Sequence, residues 1–385
     1  TRLCRDWSSD VCSSDLIAYR TSPTNIGLGL LASLTARDFG YSNLETLLTQ
    51  LERTLKTIGE LDKWHGHLYN WYDTKTLVPL KPCYISTVDS GNFVGYLMTL
   101  RQGLIAYLDR PLFDYTLIRG IDDTYACSIG ENKAFLTDLN PQLLSEVDGA
   151  FSLVAWKQTI ERAIDTFEYH EAKKEAWRYK LEHLIEENLK ELLTFTPWVN
   201  KLENIPTGLN RETTRELSSQ WLLLLDTSPL LGSYASHCTS IQMMGNALLE
   251  ITLKENDLES VEVITWIKEI LQAATISQDT MALFMARYQK TVEEIHQLSE
   301  NAQFKHLYEK KRELFSIGFN LENNRLTNSY YDLLASEARQ ISYIAIARGE
   351  IEPKHWGMLS RTLTIVDRYK GLISWSGTMF EYLMP

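Results

Sequence analysis

Hydrophobic residues recur with a helical period along most of the chain, and two segments near its start show the period best. In NIGLGLLASLTARDFG, one face carries the apolar residues Ile26, Leu30, Leu31 and Leu34. In SNLETLLTQLERTLKTIGEL, apolar side chains fall at positions 44, 47, 48, 51, 55 and 58. Ser42 or Asn43 can act as the N-cap of the second segment. Both segments are predicted to form amphipathic α-helices.

The pattern changes between residues 67 and 92, where HLYNWYDTKTLVPLKPCYISTVDSGN is rich in Pro, Gly, Asn and Asp. This composition predicts a long ordered loop, and long ordered loops in compact domains are usually functional. The next segment, FVGYLMTLRQGLIAYL, predicts a buried helix. Charged amphipathic helices are predicted over residues 141–196 and 257–310.

A β-hairpin is predicted in LFSIGFNLENNRLTNS, where Asn323-Asn324 can form the turn. The rest of the chain is predicted to consist of helices and connectors. The sequence therefore predicts an all-α fold with a small β-hairpin. Helices that alternate with long connectors suit a toroid of paired helices.

A glutamate interrupts an apolar helical stripe in NSYYDLLASEARQISYIAIARGE, residues 328–350. If the whole segment is one helix, Glu337 shares a face with Leu333 and Ile341, and no cation lies three or four residues away. Such a carboxylate either pairs with a residue of another helix or lies in a cleft. In a cleft, desolvation would raise its pKa and make it a proton donor near neutral pH.

Composition and charge exclude some classes of protein. The chain has 385 residues, 44% of them hydrophobic, which indicates a folded protein with a large core. A formal net charge of −12 argues against binding to a phosphate backbone, so nucleic acid is not an expected partner. The five cysteines have no paired spacing, which favours free thiols. No apolar run reaches the roughly 18 residues that a membrane-spanning helix needs.

The first residues differ in character from the rest. Residues 6–16 read DWSSDVCSSDL, with the tripeptide SSD repeated and no hydrophobic period. This string matches the translation of a DNA sequencing adapter. We expect residues 1–16 to be a non-native scar and residues 17–385 to form the domain. The chain ends on the apolar run MFEYLMP, and we expect the domain to be truncated there.

Motifs for metal or phosphate cofactors are absent or incomplete in the sequence. A single H-x-H, formed by His65 and His67, has no third ligand at a zinc-site spacing. Asp122-Asp123 resembles the start of a diphosphate-binding motif but has no second acidic cluster, which favours a helix-capping role. Glycine-rich nucleotide loops are missing. No metal and no cofactor are expected.

Aromatic and polar residues occur together in the predicted loops. Tyr69, Trp71, Tyr72 and Tyr84 lie among Asn70, Asp73, Asp89, Ser90 and Asn92, and a second group contains Trp375, Phe380 and Tyr382. A pyranose ring stacks its apolar face on aromatic rings and bonds its hydroxyls to such polar side chains. The pattern therefore favours a sugar ligand, with the alternative that each aromatic ring only covers its own helix pair.

Four segments carry a resemblance to a known family. They are RTSPTNIGLGLLASLTARDFGY, GHLYNWYDTKTLVPLKPCYISTVDSGNFVGYLMTLRQGL, LFSIGFNLENNRLTNSYYDLLASEARQISYIAIARGEIEPKHWGMLSR and LISWSGTMFEYLMP. Together they resemble the glucoamylase-like region of cyclic β-1,2-glucan synthases, which are large membrane-bound bacterial enzymes. The resemblance extends from about residue 18 to residue 385 and is weak between about 141 and 310.

The resemblance implies an (α/α)6 toroid and an anomer-retaining transglycosylase that cyclises linear β-1,2-glucan. It implies that Glu337, in YYDLLASEAR, is the general acid/base. The nucleophile of the family would follow residue 385, so the chain alone is expected to be inactive. Glu381 belongs to a different motif and is expected to bind substrate or to support the cleft. Tyr331, Asp332, Trp375 and Ser376 complete the expected substrate-binding set.

The resemblance also implies partners and a location. The expected partners are β-1,2-glucan and the glycosyltransferase and phosphorylase-like domains of the same parent chain, on the cytoplasmic side of the bacterial inner membrane. No direct membrane contact by this region is expected. Two alternatives remain open: a β-1,2-glucanase of the same fold, in which water replaces the acceptor hydroxyl, and a non-catalytic glucan-binding region.

Overall fold

The computed structural model describes residues 18–129, 135–140, 151–167, 175–255, 257–366 and 368–383. The predicted scar at residues 1–16 lies outside these residues. Most of the described chain is helical. The helices are α1 (Pro23–Asp38), α2 (Leu44–Glu60), α3 (Thr87–Tyr107), α4 (Tyr115–Ile129), α5 (Leu136–Leu139), α6 (Leu153–Phe167), α7 (Glu175–Phe195), α8 (Arg215–Asp226), α9 (Tyr234–Thr252), α10 (Leu258–Asn301), α11 (Arg339–Ala347), α12 (His355–Met358) and α13 (Met379–Leu383).

Short strands form small antiparallel groups. The strands are β1 (Arg20–Thr21), β2 (Lys63–Trp64), β3 (His67–Leu68), β4 (Tyr72–Asp73), β5 (Tyr84–Ser86), β6 (Tyr308–Glu309), β7 (Leu314–Ser316), β8 (Gly318–Asn320), β9 (Arg325–Leu326), β10 (Tyr330–Tyr331), β11 (Leu363–Val366) and β12 (Tyr369–Leu372). They pair as β1-β4, β2-β3, β5-β8-β9, β10-β7-β6 and β11-β12. The predicted all-α fold with a small β-hairpin is confirmed, and the (α/α)6 toroid stays a prediction.

The chain divides into two compact units. The first unit comprises the described residues within 1–33, 51–102 and 292–385, and the second comprises those within 34–50 and 103–291. All the candidate site residues named above fall in the first unit. The second unit contains most of the charged helices predicted over 141–196 and 257–310.

In the first unit, α3 and α11 approach closely because α3 has glycine where α11 crosses it. A Cβ placed on Gly91 would lie 2.6 Å from Cβ of Ile341 and 3.3 Å from its Cα. One turn later, a Cβ on Gly95 would meet the side chain of Gln340 at 1.7 Å. Ile341, Ile344 and other buried residues form one hydrophobic cluster with residues of α3. The glycines therefore bring the start of α11 next to the first turns of α3.

In the second unit, a buried glutamate of α7 holds the start of α2. Asn43 caps α2, because its Oδ1 accepts from the backbone N–H of Thr46 at 2.8 Å. Glu191 Oε1 accepts from the backbone N–H of Glu45 at 2.9 Å. Burial raises the pKa of Glu191 to about 7, although this backbone bond and the charge of Arg37 oppose the shift. The carboxyl group is thus costly to ionise in the folded protein.

This raised pKa predicts a pH-dependent stability. A carboxyl whose folded pKa exceeds its unfolded value stabilises the fold below the unfolded pKa, and that contribution is lost as pH rises through the folded pKa. Glu191→Gln does not titrate. Between pH 4.5 and 7.5 its free energy of unfolding should therefore rise relative to the parent by on the order of 1–3 kcal/mol, measured by urea denaturation. Glu186→Gln, on the exposed face of the same helix, should show no such trend. Parallel pH curves for the parent and Glu191→Gln would contradict the role assigned to this burial.

Several local predictions are confirmed. Both amphipathic helices form as α1 and α2, and the six apolar positions predicted for α2 are all buried. The hairpin forms between β8 and β9, with Asn324 at a positive φ of 47° in the turn. Asp122 has the capping role favoured by the sequence, since its carboxylate accepts from the backbone N–H groups of Phe135 and Leu136 at the start of α5.

Two boundaries were predicted wrongly. The loop predicted over 67–92 ends at residue 86, because Thr87 begins α3 and Ser86 Oγ accepts from the backbone N–H of Asp89 at 3.2 Å. The helix predicted over 328–350 begins only at Arg339. Before it, Tyr330–Tyr331 pair with β7 and Leu333 bridges to Ser360. These partners, distant in sequence, satisfy the backbone groups that a helix would have used.

Candidate functional site

Glu337 lies in the turn directly before α11. Its backbone carbonyl accepts from the N–H of Gln340 at 3.3 Å, and its side chain is half-buried. Burial raises the pKa of the Glu337 carboxyl, and a hydrogen bond from the Asn92 side chain partly offsets the shift. The negative charges of Asp89 and Glu381 raise this pKa further. Glu337 thus keeps its proton to a higher pH than an exposed glutamate, as a general acid requires.

The first turn of α3 supplies the side chains beside Glu337. Asp89 Oδ1 accepts from the Thr24 hydroxyl at 2.6 Å. The Asn92 side chain, 1% exposed, donates through Nδ2 to Thr24 Oγ1 at 3.3 Å. With its amide oriented so that both ends have partners, Asn70 donates to Asp89 Oδ2 at 3.2 Å and accepts from Trp71 Nε1 at 3.1 Å. A continuous hydrogen-bonded path therefore joins Trp71 to Asn92.

Glu381 holds the turn around Ser376 through hydrogen bonds. Its carboxylate accepts from the hydroxyl of Ser376 at 2.7 Å and from the backbone N–H of the same residue at 2.9 Å. Burial opposes ionisation of Glu381, but these bonds and others from Ser374 and Thr378 outweigh it and lower its pKa to about 2. Glu381 is thus a fixed negative charge near Glu337. Its bonds hold the turn that carries Ser376.

Two tyrosines complete the surroundings of Glu337. Burial raises the pKa of Tyr331 well above the usual tyrosine range, and the charges of Glu337 and Asp89 contribute to the shift. The pKa of Tyr96 on α3 is raised by burial and by the same two carboxylates. Both phenols are therefore neutral hydrogen-bond donors or acceptors at neutral pH.

Some predicted site residues stabilise the loop that begins at residue 67. Tyr72 is fully buried, and its hydroxyl donates to the carbonyl of Asp62 at 2.6 Å and accepts from the N–H of Tyr69 at 2.8 Å. Asp73 Oδ1 closes a turn by accepting from the N–H groups of Lys75 and Thr76, both at 2.8 Å. Tyr69 packs its half-buried ring against the core of the first unit.

Within the described residues, the remaining predicted site residues are not hydrogen-bonded to the Glu337 cluster. Asp332 is exposed, and its backbone carbonyl accepts from the N–H of Ser360 at 2.7 Å. Trp375 is 59% exposed. Ser90 is buried on α3, and its hydroxyl has no partner within the described part of the chain.

The H-x-H pair is not part of a metal site in the described chain. His67 is buried, which lowers its pKa to about 4, while His65 stacks on His306 with ring centroids 3.9 Å apart. Across the described ranges, no group of three or more His, Cys, Asp or Glu side chains is arranged to hold a metal ion.

Two residues of the cluster, Thr24 and Tyr96, were missed by sequence reasoning. Thr24 follows Ser22-Pro23, a helix-start signal, and Ser22 Oγ accepts from the N–H of Asn25 at 3.3 Å. That signal places Thr24 in a first helical turn but says nothing about its neighbours. The Ser-x-x-Asp capping pattern formed by Ser86 and Asp89 was also present in the sequence and predicts where α3 starts.

Comparison with known proteins adds one match. The chain is 31% identical, over 377 residues, to cyclic beta-(1,2)-glucan synthase NdvB of Rhizobium meliloti (strain 1021). The chain is similar to one region of that synthase. The alignment covers 96% of this chain but only 11% of the length of the synthase.

This match confirms the family resemblance that was stated from the four segments. The match extends over nearly the whole of this chain. No protein-family model matches it. Among the described residues, none of the helices combines the length and the apolar composition that crossing a bilayer requires.

Proposed function

We propose that the chain contributes to cyclic β-1,2-glucan synthesis as an anomer-retaining transglycosylase domain with Glu337 as its general acid/base. The observation that carries the proposal is the half-buried Glu337, whose pKa is raised by burial and by two neighbouring carboxylates. The similarity to the synthase region supplies the substrate class. A carboxyl whose pKa is raised keeps its proton to a higher pH than an exposed glutamate and can pass it to a poor leaving group.

The reaction would proceed in two steps. In the first, the glycosidic bond between C1 and the bridging oxygen breaks, a carboxylate bonds to C1, and the proton of Glu337 passes to the departing oxygen. In the second, a hydroxyl of the same glucan attacks C1 and gives its proton to ionised Glu337, and the carboxylate leaves. The number of glycosidic bonds is conserved. We assign the carboxylate nucleophile to no described residue of this chain.

The same proposal includes the surroundings of the domain. Linear β-1,2-glucan would be supplied by a glycosyltransferase domain of the same parent protein, with a phosphorylase-like domain as a further neighbour. The reaction would take place on the cytoplasmic side of the bacterial inner membrane.

Product analysis tests the proposal. The full-length gene product that contains this chain is incubated with linear β-1,2-glucan, with its Glu337→Gln variant as the control. Products are separated by mass, and new reducing ends are measured. Cyclic products, lighter than their linear counterparts by one water, without new reducing ends, would support transglycosylation. Shorter linear products with new reducing ends would show that the reaction is hydrolysis and not transglycosylation. Unchanged glucan would overturn the catalytic role.

A further inference from the structure

We propose that Thr24 is a positioning residue for Glu337: its hydroxyl fixes the orientations of the Asp89 carboxylate and the Asn92 carboxamide beside the acid/base. This inference rests on the proposed function of Glu337. Thr24 lies in the first turn of α1, far in sequence from the other members of the cluster.

The first step of the inference concerns the proton of Thr24. A hydroxyl has one proton to donate, and it can also accept. Because a carboxylate can only accept, the short 2.6 Å bond from Thr24 Oγ1 to Asp89 Oδ1 commits the hydroxyl proton of Thr24 to Asp89. Asp89 is held in turn by Asn70 at 3.2 Å. The hydroxyl oxygen is therefore left as an acceptor.

The second step concerns the amide of Asn92. An acceptor at Thr24 Oγ1 requires that Asn92 turn its NH2 group, and not its carbonyl, toward Thr24, and the Nδ2 to Oγ1 distance is 3.3 Å. The NH2 group has two protons, and the Asn92 side chain also bonds Glu337. A flipped amide would present its oxygen to the Glu337 carboxylate and repel it. Thr24 thus selects the amide orientation that donates to Glu337.

Two carboxyl groups and two phenols also surround Glu337. Asp89 of α3 and Glu381 of α13 are acidic, and they disfavour its ionised form. Tyr96 and Tyr331 are phenols whose own pKa values are raised. The hydrogen bond from Asn92 opposes the effect of the two carboxyl groups, because it favours the ionised form of Glu337, the form that acts as a base.

Thr24→Val tests the inference because it keeps the shape of the side chain and removes both bonds. Asp89 retains its bond with Asn70, so the larger change falls on Asn92. In the full-length gene product, kcat on linear β-1,2-glucan should fall about tenfold. The limb of the pH profile that reports Glu337 should move to higher pH by about one unit, as the loss of a hydrogen bond to a charged group implies. KM should change little.

Controls separate positioning from mere stability. Thr24→Ser keeps the hydroxyl and should restore most of kcat and the original pH profile. Thr35→Val, the same change at an exposed position of α1, should have no effect. If Thr24→Val does not fold, Asn92→Leu removes the same donor and should move the same limb in the same direction. An unmoved limb in the folded variant, while Glu337→Gln is inactive, would overturn the role of Thr24 alone. An active Glu337→Gln would overturn the proposed function instead.

Discussion

Glu337→Gln is expected to lower turnover of linear β-1,2-glucan by at least 10²–10⁴-fold, the usual contribution of general acid–base catalysis. The amide keeps the size of the side chain and can still pair with Asn92, but it cannot deliver a proton to the leaving oxygen. Glucan binding should persist, so the loss should appear in kcat and not in KM. The measurement is steady-state kinetics on the full-length gene product, with binding followed separately by calorimetry.

A substrate with an activated leaving group sharpens this test. In an aryl β-glycoside of a short β-1,2-glucan, the leaving group is an acidic phenol that departs with little protonation. The first step on this substrate should therefore be partly spared in Glu337→Gln. Azide needs no general base, and it should rescue turnover of that substrate and give a glycosyl azide of retained configuration. Glu322→Gln, the same change at an exposed position of the hairpin turn, should behave as the parent. Activity of Glu337→Gln within a few-fold of the parent would show that Glu337 is only a structural residue.

Gly91→Ala is expected to destabilise the protein by about 1–3 kcal/mol, the usual cost of overpacking a well-packed interior. The added Cβ would lie 2.6 Å from Cβ of Ile341 and 3.3 Å from its Cα. Relief requires α11 to move away from α3, because the obstacle includes backbone and is not the end of a flexible side chain. The same movement would separate Asn92 from Glu337. Urea denaturation gives the loss of stability, and kcat of the folded fraction should fall as well.

Gly29→Ala is the matched control for this prediction. Gly29 also lies within a helix, but a Cβ there would meet nothing within 4 Å. Because alanine is the better helix former, this substitution should leave stability unchanged or raise it by up to about 1 kcal/mol. If Gly91→Ala were as stable as Gly29→Ala, the close crossing of α3 and α11 would not be what places Asn92 beside Glu337.

The three acidic residues of the site come from three separate segments of the chain. Asp89 comes from the first turn of α3, Glu337 from the turn before α11, and Glu381 from α13. Asp89 and Glu381 have hydrogen-bond donors of their own, which satisfy their charges. For Glu337, the hydrogen bond from Asn92 offsets only part of the effect of burial and of the two neighbouring charges, so its pKa is raised. The surroundings thus shift the pKa values of two similar carboxyl groups in opposite directions, upward for Glu337 and downward for Glu381.

Local sequence patterns determined the helices whose stabilising contacts repeat within a few residues. The six apolar positions of α2 and the cap at Asn43 follow from a period of 3.6 residues and one side-chain bond. The turn at Asn323-Asn324 follows from the tolerance of asparagine for positive φ. The acidic residue in an apolar surrounding was visible as well, because a missing cation three or four positions away is a property of the sequence alone.

Only the tertiary structure decided where α11 begins and which residues surround Glu337. The segment before α11 has helical periodicity, but its backbone bonds to β7 and to Ser360, and no local signal reveals such partners. Thr24 and Asn92 are 68 residues apart in the sequence, and Asn92 and Glu337 are much farther apart. They meet because Gly91 allows α11 to approach α3 and because α1 presents its first turn to α3. Propensity and capping act over one helical turn, whereas this cluster depends on packing between turns that are remote in sequence.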